Sequence, residues 1–231
     1  MDDILLQTLR SVDTPTVCNA IEAAEGKRGF NGFTKGTMLS SAPEGKAIVG
    51  YALTAKIAAK APPEDPSEVM KQRRMAYYQY IANARKPAVA VIEDSDYPNC
   101  VGAFWGEINT TVHKGLGISG AVTNGVMRDL GDVPHDFPVI AGSIGPSHAF
   151  VHVKEIGTPV QVMGLSVAEG DLIHADRHGA LVIPSAVIPS LVTAINKLIE
   201  TERLVLDPAK QADFDFEAFE KAWAAFEAAR T

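Results

Sequence analysis

An arginine and an aspartate stand side by side at Arg128 and Asp129, inside the stretch NGVMRDLGD (124–132). The residues just before it, ISGAVT (118–123), mix small and branched apolar side chains as a strand covered on both faces does, and Asn124-Gly125 then breaks the run. The pair is therefore expected where a strand empties into a loop, and open α/β sheets gather their ligands at the carboxyl ends of strands. Arg128 offers a planar fork of donors that grips a carboxylate with two parallel hydrogen bonds. Asp129 is a hard oxygen donor suited to Mg2+ or Mn2+. Upstream, GEINTTVHKGLG (106–117) reads as a helix entered at Gly106 and left at Gly115. The backbone N–H groups of Gly106, Glu107, Ile108 and Asn109 at its start would seat a carboxylate or enolate oxygen. Glu107 and Asp132 are candidates to hold the waters of the metal. Such a set describes a receptor for an α-keto acid, in which a divalent ion on the keto oxygen stabilises the enolate formed when the adjacent carbon bond breaks. The plain alternative for an Arg-Asp neighbour pair is a solvated loop or a local ion pair.

The elements that must position these residues follow from pattern. Thr14-Pro15 is expected as cap and first residue of a helix through TVCNAIEAAEG, closed by Gly26. Residues 46–58 (KAIVGYALTAKIA) and 87–94 (PAVAVIED) read as strands. Between them lies a helix capped by Asp65 and begun by Pro66, with Val69, Met70, Ala76, Tyr77, Tyr80, Ile81 and Ala84 forming most of one face. The tetrapeptide KQRR (71–74) falls on this helix. Later, TPVQVMG, DLIHAD and GALVIP are short strands parted by the turn signals EGD and DRHG, which predicts an antiparallel element. Two amphipathic helices, 185–204 and 213–229, close the chain, the second carrying Phe214, Phe216, Phe219, Trp223 and Phe226 as an apolar side fit to pack on the body or on a neighbouring subunit. The class is α/β with a mixed sheet.

Several other signals carry little. GLGISG (115–120) matches a dinucleotide-binding glycine pattern, but it follows a helix and precedes a strand, the reverse of what that mechanism requires. His148 with His152, and His174 with His178, have the four-residue spacing of helical zinc ligands without lying on helices. Cys18 and Cys100 share no metal or redox spacing and fit a reducing cytoplasm. With 231 residues, 46% hydrophobic and 21% charged, the composition is that of an ordinary globular protein. A formal charge of −7 argues against nucleic acid and anionic membrane as partners. No export signal and no apolar run of membrane-spanning length is visible, so a cytoplasmic location is expected.

The stretches GEINTTVHKGLGISGAVTNGVMRDLGD (106–132) and PVQVMGLSVAEGDLIHADRHGALVIP (159–184) together resemble the family that holds the regulator of ribonuclease activity A and the class II 4-hydroxy-4-methyl-2-oxoglutarate/4-carboxy-4-hydroxy-2-oxoadipate aldolases. The likeness spans most of residues 12–205 and leaves 206–231 as a C-terminal helical extension to a domain of residues 1–205. It implies an α/β swivelling-type fold (β/β/α) with C-terminal helices, assembled as trimers or hexamers with sites between subunits. It also implies a divalent metal on Asp129, a substrate carboxylate on Arg128 and pyruvyl contacts from the backbone of 106–109. Catalytic members further imply a glutamate from a neighbour's C-terminal helix reaching the metal waters, for which Glu202, ahead of Glu200, is the candidate. Two positions depart from the family pattern, Asn124 and Asn19, where aspartate is common. The reading that follows is a metal-dependent lyase releasing pyruvate from a 4-hydroxy-2-oxo acid, with oxaloacetate decarboxylation through the same enolate. The alternative is a non-catalytic protein-binding regulator; a quinone methyltransferase is rejected for want of a strand-then-helix glycine loop. His113, His148 and Lys154 are expected at the surface, open to the distal part of a substrate.

Overall fold

Two aspartates start the first helices of the chain, whose computed structural model describes residues 1–230. Asp2 accepts from the Leu5 N–H at 2.8 Å to cap α1 (Asp3–Ser11), and Asp13 accepts from Thr16 at 2.9 Å to cap α2 (Thr14–Glu25). The cap of α2 thus lies one residue before the expected Thr14, because the Asp13 carboxylate reaches the first-turn N–H, and Pro15 falls inside the first turn where its missing donor costs nothing. Gly26 ends α2 with a left-handed φ of 65°. After β1 (Leu39–Ser40) and the long β2 (Ile48–Ala58) comes α3 (Ser67–Asn83). Pro66 occupies its cap position with no side-chain bond; Asp65, expected there, instead pairs with Arg73 at 2.8 Å. The chain continues through β3 (Ala88–Asp94), β4 (Ala103–Trp105), α4 (Glu107–Gly115), β5 (Ile118–Thr123), β6 (Val126–Met127), β7 (Val139–Ala141) and β8 (Ser143–Ile144). Then follow β9 (His152–Ile156), β10 (Val160–Val162), β11 (Leu165–Val167), β12 (Leu172–Asp176) and β13 (Gly179–Ile183). Helix α5 (Ile188–Ala209), entered through a single 3-10 turn, and helix α6 (Phe216–Arg230) complete the order.

The main sheet runs β1-β7-β5-β3-β2-β12-β13, with β9 also paired to β2. Its centre, β7-β5-β3-β2, is parallel, and the flanking β1, β9, β12 and β13 are antiparallel. Central strands are covered on both faces, and β3 shows how: Ala88, Ala90 and Ile92 face the core under Tyr77 and Ile81 of α3, while Val89 and Val91 face the core shared with the β10-β11 hairpin. A third core joins α1, α2 and α5 to Val49, Leu172 and Leu181. Gly120, inside the discounted GLGISG stretch, has a packing explanation: a Cβ there would stand 2.8 Å from both Ile48 Cδ1 and the Pro138 carbonyl. Beyond the parallel centre the chain builds a second, small parallel sheet, β4-β6-β8, whose members follow β3, β5 and β7 in turn.

The C-terminal helices run later than expected. Helix α5 passes without a break through residues 205 and 206, and α6 packs against it. Phe216, Phe219, Trp223 and Phe226 stack as a ladder along α6, with Phe216 70% and Trp223 42% exposed. Among the described residues, no helix is long and apolar enough to cross a membrane.

The passage from the large sheet to the small one is fastened by Asn124. Its Oδ1 accepts the Asp94 N–H at 2.6 Å and its Nδ2 donates to the Asp94 carbonyl at 3.2 Å, so one amide satisfies both backbone groups at the end of β3. An aspartate could accept but not donate, and it would set a second carboxylate against buried Asp94, whose own carboxyl is already pushed up by burial. Asn124→Asp is therefore expected to destabilise the fold by about 1–3 kcal/mol. The loss should appear as a lower urea midpoint with an unchanged slope; an unchanged midpoint would show that this clamp is not needed.

Candidate functional site

Parallel pairing of β4 with β6 aligns Trp105 with Met127, and the Arg128 N–H donates to the Trp105 carbonyl at 2.8 Å. Gly106, which caps α4, thereby lies against the Arg128-Asp129 pair. A Cβ at Gly106 would stand 2.5 Å from Asp129 Oδ2 and 3.0 Å from Arg128 Nε, so any larger residue there would displace the two side chains; its own φ of −142° is ordinary extended backbone. Asp129 is left-handed, with φ 55°, and the turn is held by the Asp132 and Val133 N–H groups, which donate to its carbonyl at 2.9 and 3.0 Å. Aspartate tolerates this region better than most residues. The turn sends the carboxylate back to α4, where Oδ2 accepts the Glu107 N–H at 3.2 Å and lies 3.4 Å from Arg128 Nε.

This arrangement divides the backbone donors of the 106–109 stretch. The Glu107 N–H is engaged by Asp129, while the N–H groups of Ile108 and Asn109 sit in the first helical turn, ahead of the first intrahelical bond from Thr110 to Gly106. The side chains behave differently from their backbone. Glu107 and Asp132 are exposed, Ile108 is 76% exposed, and Asn109 is a clamp: its Nδ2 donates to the Phe104 carbonyl and its Oδ1 accepts from the Tyr78 hydroxyl, each at 2.6 Å.

Arg128, Gly106, Ile108 and Asn109 line a cavity of about 470 Å³ whose other wall is α3 and whose rim is residues 148–153. Among the described residues not one aspartate or glutamate lines it, although the chain has 28 of them. His148 and His152 both reach the rim, but each commits Nδ1 to a backbone carbonyl at 2.7 Å, of Ala149 and Phe150 respectively. Lys154 is exposed on β9 and does not line the cavity. Sequence reading missed Arg74 and Tyr78, which enter from α3; the signal was there in the spacing, since Arg74 and Tyr77 follow buried Met70 at i+4 and i+7. Glu202 lies elsewhere in the subunit, in a groove between α2 and α5 with Asn19 and Lys197.

His113, expected at the surface, is fully buried, because the last turn of α4 packs against α3 and the Trp105 ring. Its Nδ1–H donates to the Asn109 carbonyl at 2.6 Å and its Nε2 faces the Tyr77 hydroxyl at 2.8 Å. Burial pushes the imidazole down to about 4, with nearby Lys86 acting in the same direction and the Asn109 bond opposing. The ring is therefore neutral, accepting from Tyr77 while donating to α4.

Among the described residues, no three His, Cys, Asp or Glu side chains gather into a ready-made metal cage. Asp129 stands as a single half-buried carboxylate whose Oδ2 is engaged and whose Oδ1 has no hydrogen bond or ion pair among the described residues. That donor set fits Mg2+ or Mn2+, which keep several waters and bind through one or two carboxylates and the substrate, and does not fit zinc.

A family model described as RraA-like, Aldolase/RraA, matches residues 14–182. An uncharacterized protein of Methanocaldococcus jannaschii is 26% identical over 202 residues, 87% of this chain and 86% of its own. A protein of Halalkalibacterium halodurans with the provisional name 4-hydroxy-4-methyl-2-oxoglutarate aldolase is 29% identical over 126 residues, 54% of this chain and 53% of its own. Among solved structures, an uncharacterized protein from Pseudomonas syringae pv. tomato superposes with a TM-score of 0.72 at 23% identity, covering 97% of this chain and 94% of that one, which confirms the fold.

The buried His113, which braces Tyr77 behind the cavity wall, has a pH signature. In the unfolded chain its imidazole titrates near 6.5, above its folded value, so the unfolded state takes up the proton first as the pH falls. Stability is expected to drop by on the order of 3 kcal/mol as the pH falls from about 6.5 to about 4. Urea midpoints measured through this window should fall for the wild type and fall less for His113→Gln; parallel slopes would exclude the buried neutral histidine as their source.

Proposed function

The chain belongs to the RraA-like Aldolase/RraA family, and on that premise we propose that it is a divalent-metal-dependent lyase that cleaves a 4-hydroxy-2-oxo acid to release pyruvate, with oxaloacetate decarboxylase activity at the same site. The observation that carries this reading is the Arg128-Asp129 pair held against the start of α4 at the edge of a cavity free of carboxylates. Arg128 grips the substrate carboxylate with its planar fork. The Ile108 and Asn109 N–H groups, at the positive end of α4, face the developing enolate oxygen. Asp129 would hold a Mg2+ or Mn2+ ion, which when bound polarises the 2-oxo group and stabilises the enolate. Glu107 and Asp132, exposed on either side of Asp129 along the chain, would hold its waters.

In the retro-aldol direction the 4-hydroxyl proton leaves, the bond between C3 and C4 breaks, its electron pair becomes the pyruvate enolate, and C3 then takes a proton. Among the described residues of one subunit no acidic side chain lines the cavity to carry these protons. Glu202 of a neighbouring subunit, ahead of Glu200, is assigned that task, which makes a trimer or hexamer the working unit in the cytoplasm. A regulator that only masks a partner has no need of an anion-receiving cavity, and the alternative is set aside on that ground.

The test is pyruvate release from a panel of 4-hydroxy-2-oxo acids and oxaloacetate, with and without magnesium or manganese. Turnover is expected only with metal, and turnover in a chelator would remove the proposal. Asp129→Ala should abolish activity while keeping the fold, since it removes a half-buried turn carboxylate rather than a core side chain. Arg128→Lys should lose about 100-fold or more in kcat/KM, because a point charge replaces a two-pronged donor. Gly106→Ala should fold and yet fail, its Cβ displacing both side chains; a near-normal Gly106→Ala enzyme would show that their close approach is dispensable.

A further inference from the structure

The cavity holds a second permanent cation. Arg74 lines it from the middle of α3, is exposed, and has no ion pair or hydrogen-bond partner among the described residues. Its neighbour Arg73 is the opposite case, tied to Asp65 at 2.8 Å and to the Val153 carbonyl at 3.5 Å. One arginine of the pair thus fastens α3 to β9, and the other is left facing a space that contains no carboxylate. The two rim histidines have spent their Nδ1 donors on the backbone, so among the described residues Arg74 and Arg128 are the only guanidinium forks the cavity offers.

The backbone stations that carry those two forks are also tied together. Tyr78, one turn after Arg74 on α3, donates its hydroxyl to Asn109 Oδ1 in the first turn of α4, the turn that begins beside Arg128. Tyr77 makes a second tie to α4 through His113. Helix α3 is therefore anchored to α4, and it holds the backbone of Arg74 in place across the cavity from Arg128. The wall around it, with Met70, Ile108, Phe150 and Val153, is apolar, so a carbon chain can lie along it and deliver a charged end to Arg74.

We propose that Arg74 receives a second carboxylate and is the residue by which this protein selects a 2-oxo diacid over the corresponding monoacid. The proposal deepens the oxo-acid reading of the cavity and rests on Arg128 holding the first carboxylate. The charge count supports it. A monoacid would satisfy Arg128 alone and leave Arg74 unpaired, whereas a diacid pairs both forks. In a chain of net charge −7, a cavity cleared of acids and supplied with two arginines is the local positive focus that a dianion needs.

The test separates recognition from turnover by using ligands that cannot be cleaved. 2-Oxoglutarate and 2-oxopentanoate have the same carbon chain and differ only in the distal carboxylate, and neither carries a 4-hydroxyl. Calorimetry in magnesium is expected to show 2-oxoglutarate binding about tenfold or more tighter than 2-oxopentanoate. Arg74→Gln should erase that ratio while leaving 2-oxopentanoate unchanged. Lys71→Gln, which removes one exposed positive charge from the same helix, should leave the ratio intact. A ratio that survives Arg74→Gln, an equal loss for both ligands, or no binding of either overturns the assignment. The lyase reading fails separately, by absence of pyruvate release in the panel assay, and diacid selection that depends on Arg74 would stand without it. If turnover is found, Arg74→Gln should raise KM for a 4-hydroxy-2-oxo diacid with little change in kcat, and should leave a 4-hydroxy-2-oxo monoacid within about twofold of wild type.

Discussion

The contact between Gly106 and the Arg128-Asp129 pair organises the whole site, and it exists because two very short strands run parallel. The register of β4 on β6 is locked by Trp105 and Met127, each buried to 1% exposure, and by the bond from the Arg128 N–H to the Trp105 carbonyl. A slip of one residue would turn both side chains to the opposite face of this small sheet and separate glycine from arginine. With the register fixed, the chain leaves β4 into α4 and leaves β6 into the left-handed turn at Asp129 from the same edge. The ends of two parallel strands are where an α/β protein can bring a helix start and a charged loop together.

Electrostatics around that contact are local, because the global charge opposes them. The chain as a whole repels anions, and exposed charges more than about 10 Å away are screened at ordinary ionic strength. An anion entering the cavity would meet Arg128, Arg74 and the first turn of α4, with no aspartate or glutamate among the described lining residues to oppose them. Asp129 is the exception that sharpens this. Its Oδ2 is turned towards Glu107 N–H and Arg128, which partly neutralises it towards the cavity and holds its other oxygen in one orientation.

The walls are held by neutral hydrogen bonds more than by ion pairs. Tyr77 to His113 and Tyr78 to Asn109 join α3 to α4, and the Asn124 amide joins the end of β3 to the chain leading to Arg128. Buried neutral pairs of this kind are little screened by salt, and each orients two elements at once. The C-terminal helices stand apart from this machinery: α6 leans on α5, its aromatic ladder part exposed, and Glu202 faces a groove lined by α2 and α5.

Read alone, the sequence determined the elements whose signals are local. The alternation in PAVAVIED gives β3, the Gly106 and Gly115 boundaries give α4, and hydrophobic period with turn residues gives the antiparallel β12-β13 pair. It also determined the family, and it singled out Arg128, Asp129 and Gly106, whose types are chemically unusual where they stand. What it did not contain was long-range. Two- and three-residue strands such as β6 and β8 are too short to show a period, so the small sheet is invisible until its partners meet. His113 looked like a surface histidine because a single polar residue carries no record of what packs over it, and only the approach of α3 buries it. Arg74 looked like one charge in a basic run because nothing local separates a solvated arginine from one facing a cavity. The fold decided those roles, since burial and the distance between charges are properties of pairs of elements far apart in the chain.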